Sequence, residues 1–298
     1  MVGHDSVKTF ATAPRPEARR PVPCALCGGS SFRPLWNCGT FSFATCRRCG
    51  LVQQNPQPEE EAVQARYDAA YLEYEAENQM IYRDLELKAF EDLRLGAYAS
   101  PLFERASARK ARPRVLDVGC ATGALLDALR DRGWEPQGVE LCAPAAEYGR
   151  SRFHLPIHTG TLEAASFPDA GFDLVHASHL IEHLNRPGIF LDELSRILAP
   201  GGLVILTTPN VDGMQARIFH GEWRSAIYDH LYLFSRRSLE ALLRAHGFRP
   251  LRSVTWGGWA RGLRPAFLKA PLDRWAKRLG FGDVTAVLAL GPARDDTE

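Results

Sequence analysis

From Arg114 onward, short apolar runs alternate with amphipathic segments, and this alternation restricts the fold more than any other feature of the sequence. The runs are RVLDVG (114–119), EPQGVE (135–140), PIHTG (156–160), FDLVHAS (172–178), GLVILTT (202–208), FRPLRSVTW (248–256) and VTAVLAL (284–290). Helical patterns fill 123–132, 143–153, 187–199 and 236–246, and two of them end in glycine, at ALRDRGW and ALLRAHGF, as helix C-termini do. Strands alternating with helices imply an α/β, Rossmann-like, seven-stranded and mostly parallel sheet with right-handed crossovers. Residues 59–112 read as helices, with a break at Asn78 and Gln79.

The first strand runs through Asp117 into a turn containing Gly119, Ala121 and Gly123, and then into a helix. Glycines there let a ligand approach the backbone. The turn has neither the G-x-G-x-x-G of a dinucleotide site nor the GKS/GKT of a P-loop. Asp117 at its mouth would repel a pyrophosphate and suits a cationic ligand. A second acid, Glu140, closes strand two, where a carboxylate can accept ribose hydroxyls.

DVGCATG, GVE, FDLVHASHLIEHL and LAPGGLVILTTPN, spread over residues 112–250, together resemble the class I S-adenosylmethionine-dependent methyltransferases. The resemblance implies that S-adenosylmethionine is the cofactor. Gly119 and Gly123 would line its methionine end, with Asp117 near its positive charges and Glu140 on the ribose. Thr161 and Leu162 would flank the adenine, and Ser178 would lie near the methyl donor. Ala121 stands where that pattern often has a middle glycine, and a slight narrowing is expected.

Four of the seven cysteines form two CxxC pairs, Cys24–Cys27 and Cys46–Cys49, separated by 18 residues and each followed by a glycine. Such knuckles aim four thiolates at one point, which predicts a small zinc ribbon over 23–58. With four protein ligands the zinc is structural rather than catalytic. Cys38 is expected to be a bystander. The ribbon CALCGG…CRRCGLVQQNPQP followed by a tyrosine-rich helix resembles the N-terminal module of a methyltransferase subgroup, several of whose members act on sugars or other small metabolites.

A methyl acceptor often needs a base, and histidine suits that task near neutral pH. Asp229-His230, after a tyrosine and before an aromatic FS, resembles the acid–histidine pair of deoxysugar C-methyltransferases, which makes His230 the expected base and Asp229 its electrostatic partner. Trp223, Tyr228 and Tyr232 would line the acceptor pocket, with Tyr67, Tyr71 and Tyr74 as a lid. His179, Glu182, His183 and His220 are further candidates, and His183 stands in the expected catalytic set. On a helix His179, Glu182 and His183 would share a face, as in metal-binding quinone-pathway relatives. His179 replaces a glutamate of that pattern, so Glu182 and His183 are expected to anchor the loop instead. The large C-terminal domain of the C-methyltransferases is not expected from this sequence, and a hydroxyl acceptor is expected at least as readily as a carbon.

The remaining expectations concern location and partners. A net charge of +1 on 298 residues does not advertise bulk binding to nucleic acid. An RNA methyltransferase using the ribbon to hold RNA is a rival reading, with RASARKARPR (105–114) as its basic run. A non-catalytic ribbon module is a second rival, opposed by the intact Asp117, Gly119, Gly123 and Glu140 set. The chain has no apolar signal core and no membrane-length run, so a cytoplasmic location without a membrane partner is expected. Residues 1–22, polar and rich in proline and arginine, read as a disordered tail. The sequence sets no oligomeric state.

Overall fold

The computed structural model describes residues 18–59, 69–257 and 280–293. Its centre is a seven-stranded sheet in which every strand expected from Arg114 onward is present. In chain order these are β6 (Arg114–Val118), β7 (Glu135–Glu140), β8 (Ile157–Thr159), β9 (Phe172–Ser178), β10 (Leu198–Pro209), β12 (Arg249–Trp256) and β13 (Val284–Leu290). Their spatial order is β12-β13-β10-β9-β6-β7-β8. The sheet is parallel from β10 to β8, and β13 runs antiparallel between β10 and β12. Strand order reverses at β6, which pairs with both β7 and β9, and ligands bind beyond the carboxyl ends of strands at such a point.

Period-two alternation divides the sheet's side chains between two cores. Leu116, Val118, Val175, Ala177, Val204 and Leu206 pack on one face, against Phe190 and Leu194 of α5 (Pro187–Ile197) and Leu239 and Leu242 of α7 (Arg236–Ala245). Val115, Leu174, Leu203 and Ile205 pack on the other face, against Leu102 of α2 (Leu95–Ala108) and Leu126 and Leu129 of α3 (Ala124–Asp131). Helix α7 starts at a reciprocal cap in which Ser235 and Ser238 each bond the other's backbone N–H.

Among the described residues the helical segment opens with α1 (Ala69–Asp92), and the break expected at Asn78 and Gln79 is absent. The side-chain amides of both residues turn back onto helical carbonyls, those of Tyr74 and Ala76. The break comes instead at Arg94, whose φ of 58° is left-handed. Part of the expected tail is ordered as well. Arg19–Arg20 (β1) pairs with Gln57–Pro58 (β5), so the disorder read over 1–22 does not reach these residues, and residues 1–17 lie outside the described ones.

The ribbon is an antiparallel meander of β2 (Phe32–Asn37), β3 (Ser42–Cys46) and β4 (Val52–Gln54). Its fourth strand comes from far along the chain, because Tyr232–Leu233 (β11) pairs with β4. Among the described residues, no helix is long and apolar enough to cross a membrane.

Candidate active site

Both cysteine knuckles close in the same way. The Cys24 N–H donates to the Gly29 carbonyl and the Gly28 N–H to Cys24, while Cys46 and Gly50 repeat the pattern with Leu51 and Cys46. Gly28 (φ 68°) and Gly50 (φ 82°) take the left-handed turn that closes each knuckle. The four Sγ atoms lie within 4.8 Å of one another, with Cys24–Cys49 at 3.4 Å and Cys27–Cys46 at 3.5 Å. A tetrahedral zinc with bonds of 2.3 Å separates its sulfurs by about 3.8 Å, so the four thiolates fit the ion with little adjustment. Cys38 stands apart, its thiol directed at the Gly221 carbonyl.

At the carboxyl ends of the strands a cavity of about 160 Å³ is bordered by Gly119, Glu140, Thr161, Leu162, Ser178, His179 and His183, with Tyr71 of α1 beside them. Six residues expected at the site thus meet around one space. Both oxygens of Glu140 receive backbone N–H groups, Oε2 from Ala121 at 2.8 Å and Oε1 from Cys142 at 2.7 Å. Burial raises this carboxyl above its ordinary value. Each oxygen keeps a lone pair for a ligand hydroxyl. Glu75 of α1 is raised to about 7, by burial and then by the charge of Glu140, with His179 opposing. A buried acid beside glycine backbone, with a second acid close enough to feel its charge, fits a ligand carrying both hydroxyls and positive charge.

Asp117 does not border the cavity. Its Oδ1 bonds His176 Nδ1 at 2.7 Å, and His176 Nε2 lies 3.3 Å from Oε2 of Glu86 on α1. The Ser178 hydroxyl donates to the other oxygen of Glu86 at 2.5 Å. Burial alone would lower the His176 pKa, but Asp117 and then Glu86 outweigh it and raise it to about 10. His176 and Glu86 are not among the residues that the sequence pattern singles out. A histidine within the apolar run FDLVHAS was a signal, whereas nothing local marked Glu86, 90 residues away. Gly123 also lies outside the cavity lining, at the start of α3 with φ 79°. Ala121 is left-handed too, at φ 47°, a region that costs alanine what it would not cost the missing glycine.

The histidines occupy a different arrangement from the expected one. Only Ile181–His183 is helical, a single 3-10 turn. His179 precedes it at φ 50° and contacts Glu182 Oε1 at 3.2 Å, and Oε2 of Glu182 accepts from Thr208. Burial would raise Glu182, but the hydrogen bond and charge of His179, with smaller contributions from the adjacent imidazoles, hold it at about 2. His183 Nδ1 lies 3.0 Å from the Asp229 carbonyl. A carbonyl only accepts, so His183 carries its proton on Nδ1 and keeps the Nε2 lone pair.

His230, the expected base, is buried behind His183 and does not border the cavity. The two rings meet edge to face, with centroids 4.7 Å apart. His230 Nδ1 donates to the Ser225 carbonyl, and burial, followed by His183, pushes its pKa down to about 3. Asp229 contributes its backbone carbonyl rather than its carboxylate to this contact. Glu182, His183 and His230 also bring donor atoms within 4.8 Å of one another, although both Glu182 oxygens already have partners.

The aromatic residues expected around the acceptor lie elsewhere. Trp223 is core, packed with Phe43 and Leu233, and Tyr232 is buried with its hydroxyl on the Asn185 carbonyl. Tyr228 sits under the Arg19 guanidinium and against Phe41. His220 stacks on Trp36. Of the lid tyrosines, Tyr71 borders the cavity, Tyr74 contacts Tyr82, and Tyr67 lies outside the described residues.

Residues 90–253 match the family described as methyltransferase domain. The chain is 32% identical over 110 residues to a probable S-adenosylmethionine-dependent methyltransferase of Mycolicibacterium smegmatis, covering 37% of this chain and 43% of that protein. It is 30% identical over 128 residues to a ubiquinone biosynthesis O-methyltransferase of Psychrobacter arcticus, covering 40% of this chain and 50% of that protein. The chain therefore spans half or less of the length of these two curated relatives. Its fold is similar to that of a putative methyltransferase solved in complex with the Haloferax volcanii Trm112 methyltransferase activator, at 19% identity and a TM-score of 0.52, covering 74% of this chain and 97% of the other.

Proposed function

The chain belongs to the methyltransferase-domain family; from that premise we propose that it is an S-adenosylmethionine-dependent methyltransferase that acts on a hydroxyl of a small molecule, a sugar, glycan precursor or secondary metabolite, with His183 as the base. The observation that carries this reading is His183 itself. Its ring borders the same cavity as Gly119, Glu140 and Ser178, and the Asp229 carbonyl fixes its tautomer.

When bound, S-adenosylmethionine supplies a methyl group already activated on a sulfonium. Gly119 and Glu140 would hold its methionine and ribose ends, with Thr161 and Leu162 beside the adenine. Ser178, whose hydroxyl donates to Glu86, would lie on the methyl-donor side. His183 Nε2 takes the acceptor's hydroxyl proton as the oxygen becomes nucleophilic. His230 stays neutral behind it and holds the ring by edge-to-face contact. Cys24, Cys27, Cys46 and Cys49 would hold one structural zinc in the ribbon. The likeness to an O-methyltransferase supports oxygen over carbon as the acceptor atom.

A panel of nucleotide sugars and of phenolic and aliphatic alcohols, incubated with methyl-labelled S-adenosylmethionine, tests the acceptor class. Label in an O-methyl product is the expected result. Label found in RNA but in no small acceptor would transfer the reading to nucleic acid.

A further inference from the structure

Two consecutive glutamines join the metal knuckle to the loop behind the base. Gln53 and Gln54 sit on β4, both fully buried. Neighbouring strand residues point opposite ways, so the two amides serve opposite sides. Gln53 turns toward the first knuckle. Its Oε1 accepts from the Ala25 N–H and its Nε2 donates to the Pro23 carbonyl, both at 3.3 Å, bracketing Cys24. Gln54 turns toward residues 228–231. Its Nε2 donates to the carbonyls of Tyr228 and His230, each at 2.8 Å, and its backbone N–H donates to Leu231 at 2.8 Å. Arg19 donates to Gln54 Oε1 at 3.1 Å, which fixes the orientation of the amide.

Four consecutive carbonyls are thereby held. Those of Tyr228, His230 and Leu231 accept from Gln54, and the carbonyl between them, that of Asp229, accepts from His183. The Leu231 N–H closes the frame on the Glu182 carbonyl at 2.7 Å. A rotation of any peptide plane in this run would carry the Asp229 oxygen away from the His183 ring.

We propose that Gln54 is a positioning residue for methyl transfer: it fixes the backbone of 228–231 so that the Asp229 carbonyl orients His183, and through Gln53 this arrangement depends on a filled zinc knuckle. The ribbon is then part of the catalytic apparatus without touching the reacting atoms. Groups that orient a metal-bound imidazole through its second nitrogen are worth roughly 10–100-fold in activity, and the same scale is taken for a base oriented in that way. The proposal rests on the reading of His183 as base.

Three measurements test it. Gln54→Leu keeps the volume and the backbone bond but removes both amide donors, and it should lower kcat roughly 10–100-fold while KM for S-adenosylmethionine stays within about twofold. In a His183→Ala background the same substitution should cost nothing further, whereas a general loss of fold would cost the same in both backgrounds. A full additional loss there, or wild-type kcat in Gln54→Leu beside an inactive His183→Ala, would overturn the proposal. Wild-type turnover in His183→Ala would instead overturn the reading of the base. The third measurement needs no variant. Chelating zinc from the wild-type protein should speed amide exchange at 227–233 and leave 114–119 protected, and unchanged exchange at 227–233 in the metal-free protein would refute the coupling.

Discussion

His176 Nδ1 lies 2.7 Å from Oδ1 of Asp117, and both side chains are buried beneath the cofactor loop. The acid that charge arguments assign to a cationic ligand is thus neutralised inside the protein. The imidazolium also reaches Glu86, so it joins strands β6 and β9 to helix α1.

This group makes stability depend on pH in a definite direction. His176 is raised to about 10 in the folded chain, so its contribution is complete below the unfolded value near 6.5 and is lost as pH rises from there toward 10. Urea unfolding of the wild type should show a falling midpoint between pH 6.5 and 9.5. His176→Ala should cost about 3–5 kcal/mol near neutrality, the scale for removing one partner of a buried ion pair, and should flatten the slope. An equally steep slope in the variant would assign the pH effect elsewhere.

Glu140→Ala should weaken S-adenosylhomocysteine by about 2–4 kcal/mol, because two charge-assisted bonds to the ribose are lost. Calorimetry reads this directly. Part of the loss will come from the loop, since the same carboxylate holds the N–H groups of Ala121 and Cys142. Unchanged affinity would remove Glu140 from the ribose.

His183→Ala should lower turnover by about 10²–10⁴-fold with cofactor affinity nearly intact. His230→Ala should cost less, because it removes a packing partner rather than the proton acceptor. Single-turnover rates with a common acceptor rank the two. A larger loss in His230→Ala would return the base to that position.

Metal analysis of the folded protein should find one zinc per chain, held by Cys24, Cys27, Cys46 and Cys49. Burial opposes ionisation of the Cys46 thiol, but backbone N–H groups of Cys49 and Arg48 and the neighbouring thiols bring it down to about 7. Zinc-free protein with an ordered ribbon would contradict the assignment.

Ala121→Gly should raise stability by up to about 1 kcal/mol, as relief of the left-handed alanine exceeds the entropy that glycine adds to the unfolded chain. Denaturant midpoints check this. A loss of more than 1 kcal/mol would mean that the methyl group packs usefully.

The order of strands and helices after Arg114 was legible because each element carries its own periodicity, and two of the helices end in a glycine, at Gly133 and Gly247. The two knuckles were legible for the same reason, since CxxC is a local pattern. The relations between distant elements were not. Nothing near Asp117 announces that its partner is a histidine 59 residues away, and nothing near His230 says that its neighbour His183 stands between it and the cavity. Trp223 and Tyr232 looked like pocket walls in sequence, but the ribbon packs against Trp223 and buries both from solvent. Local patterns specify elements, whereas the roles of polar side chains are set by which elements meet.

The pairing of Gln53 with Tyr232 also has a consequence for the order in which the chain is made. The ribbon leaves the ribosome first, yet the strand that completes its sheet follows about 180 residues later, a delay of roughly 10–40 s at ordinary elongation rates. During that interval β4 presents an open edge, the kind of surface on which nascent chains associate. Early capture of zinc would hold the two knuckles together while the edge waits for its partner, so a cell short of zinc should lose this protein to aggregation during synthesis more readily than it loses molecules already folded.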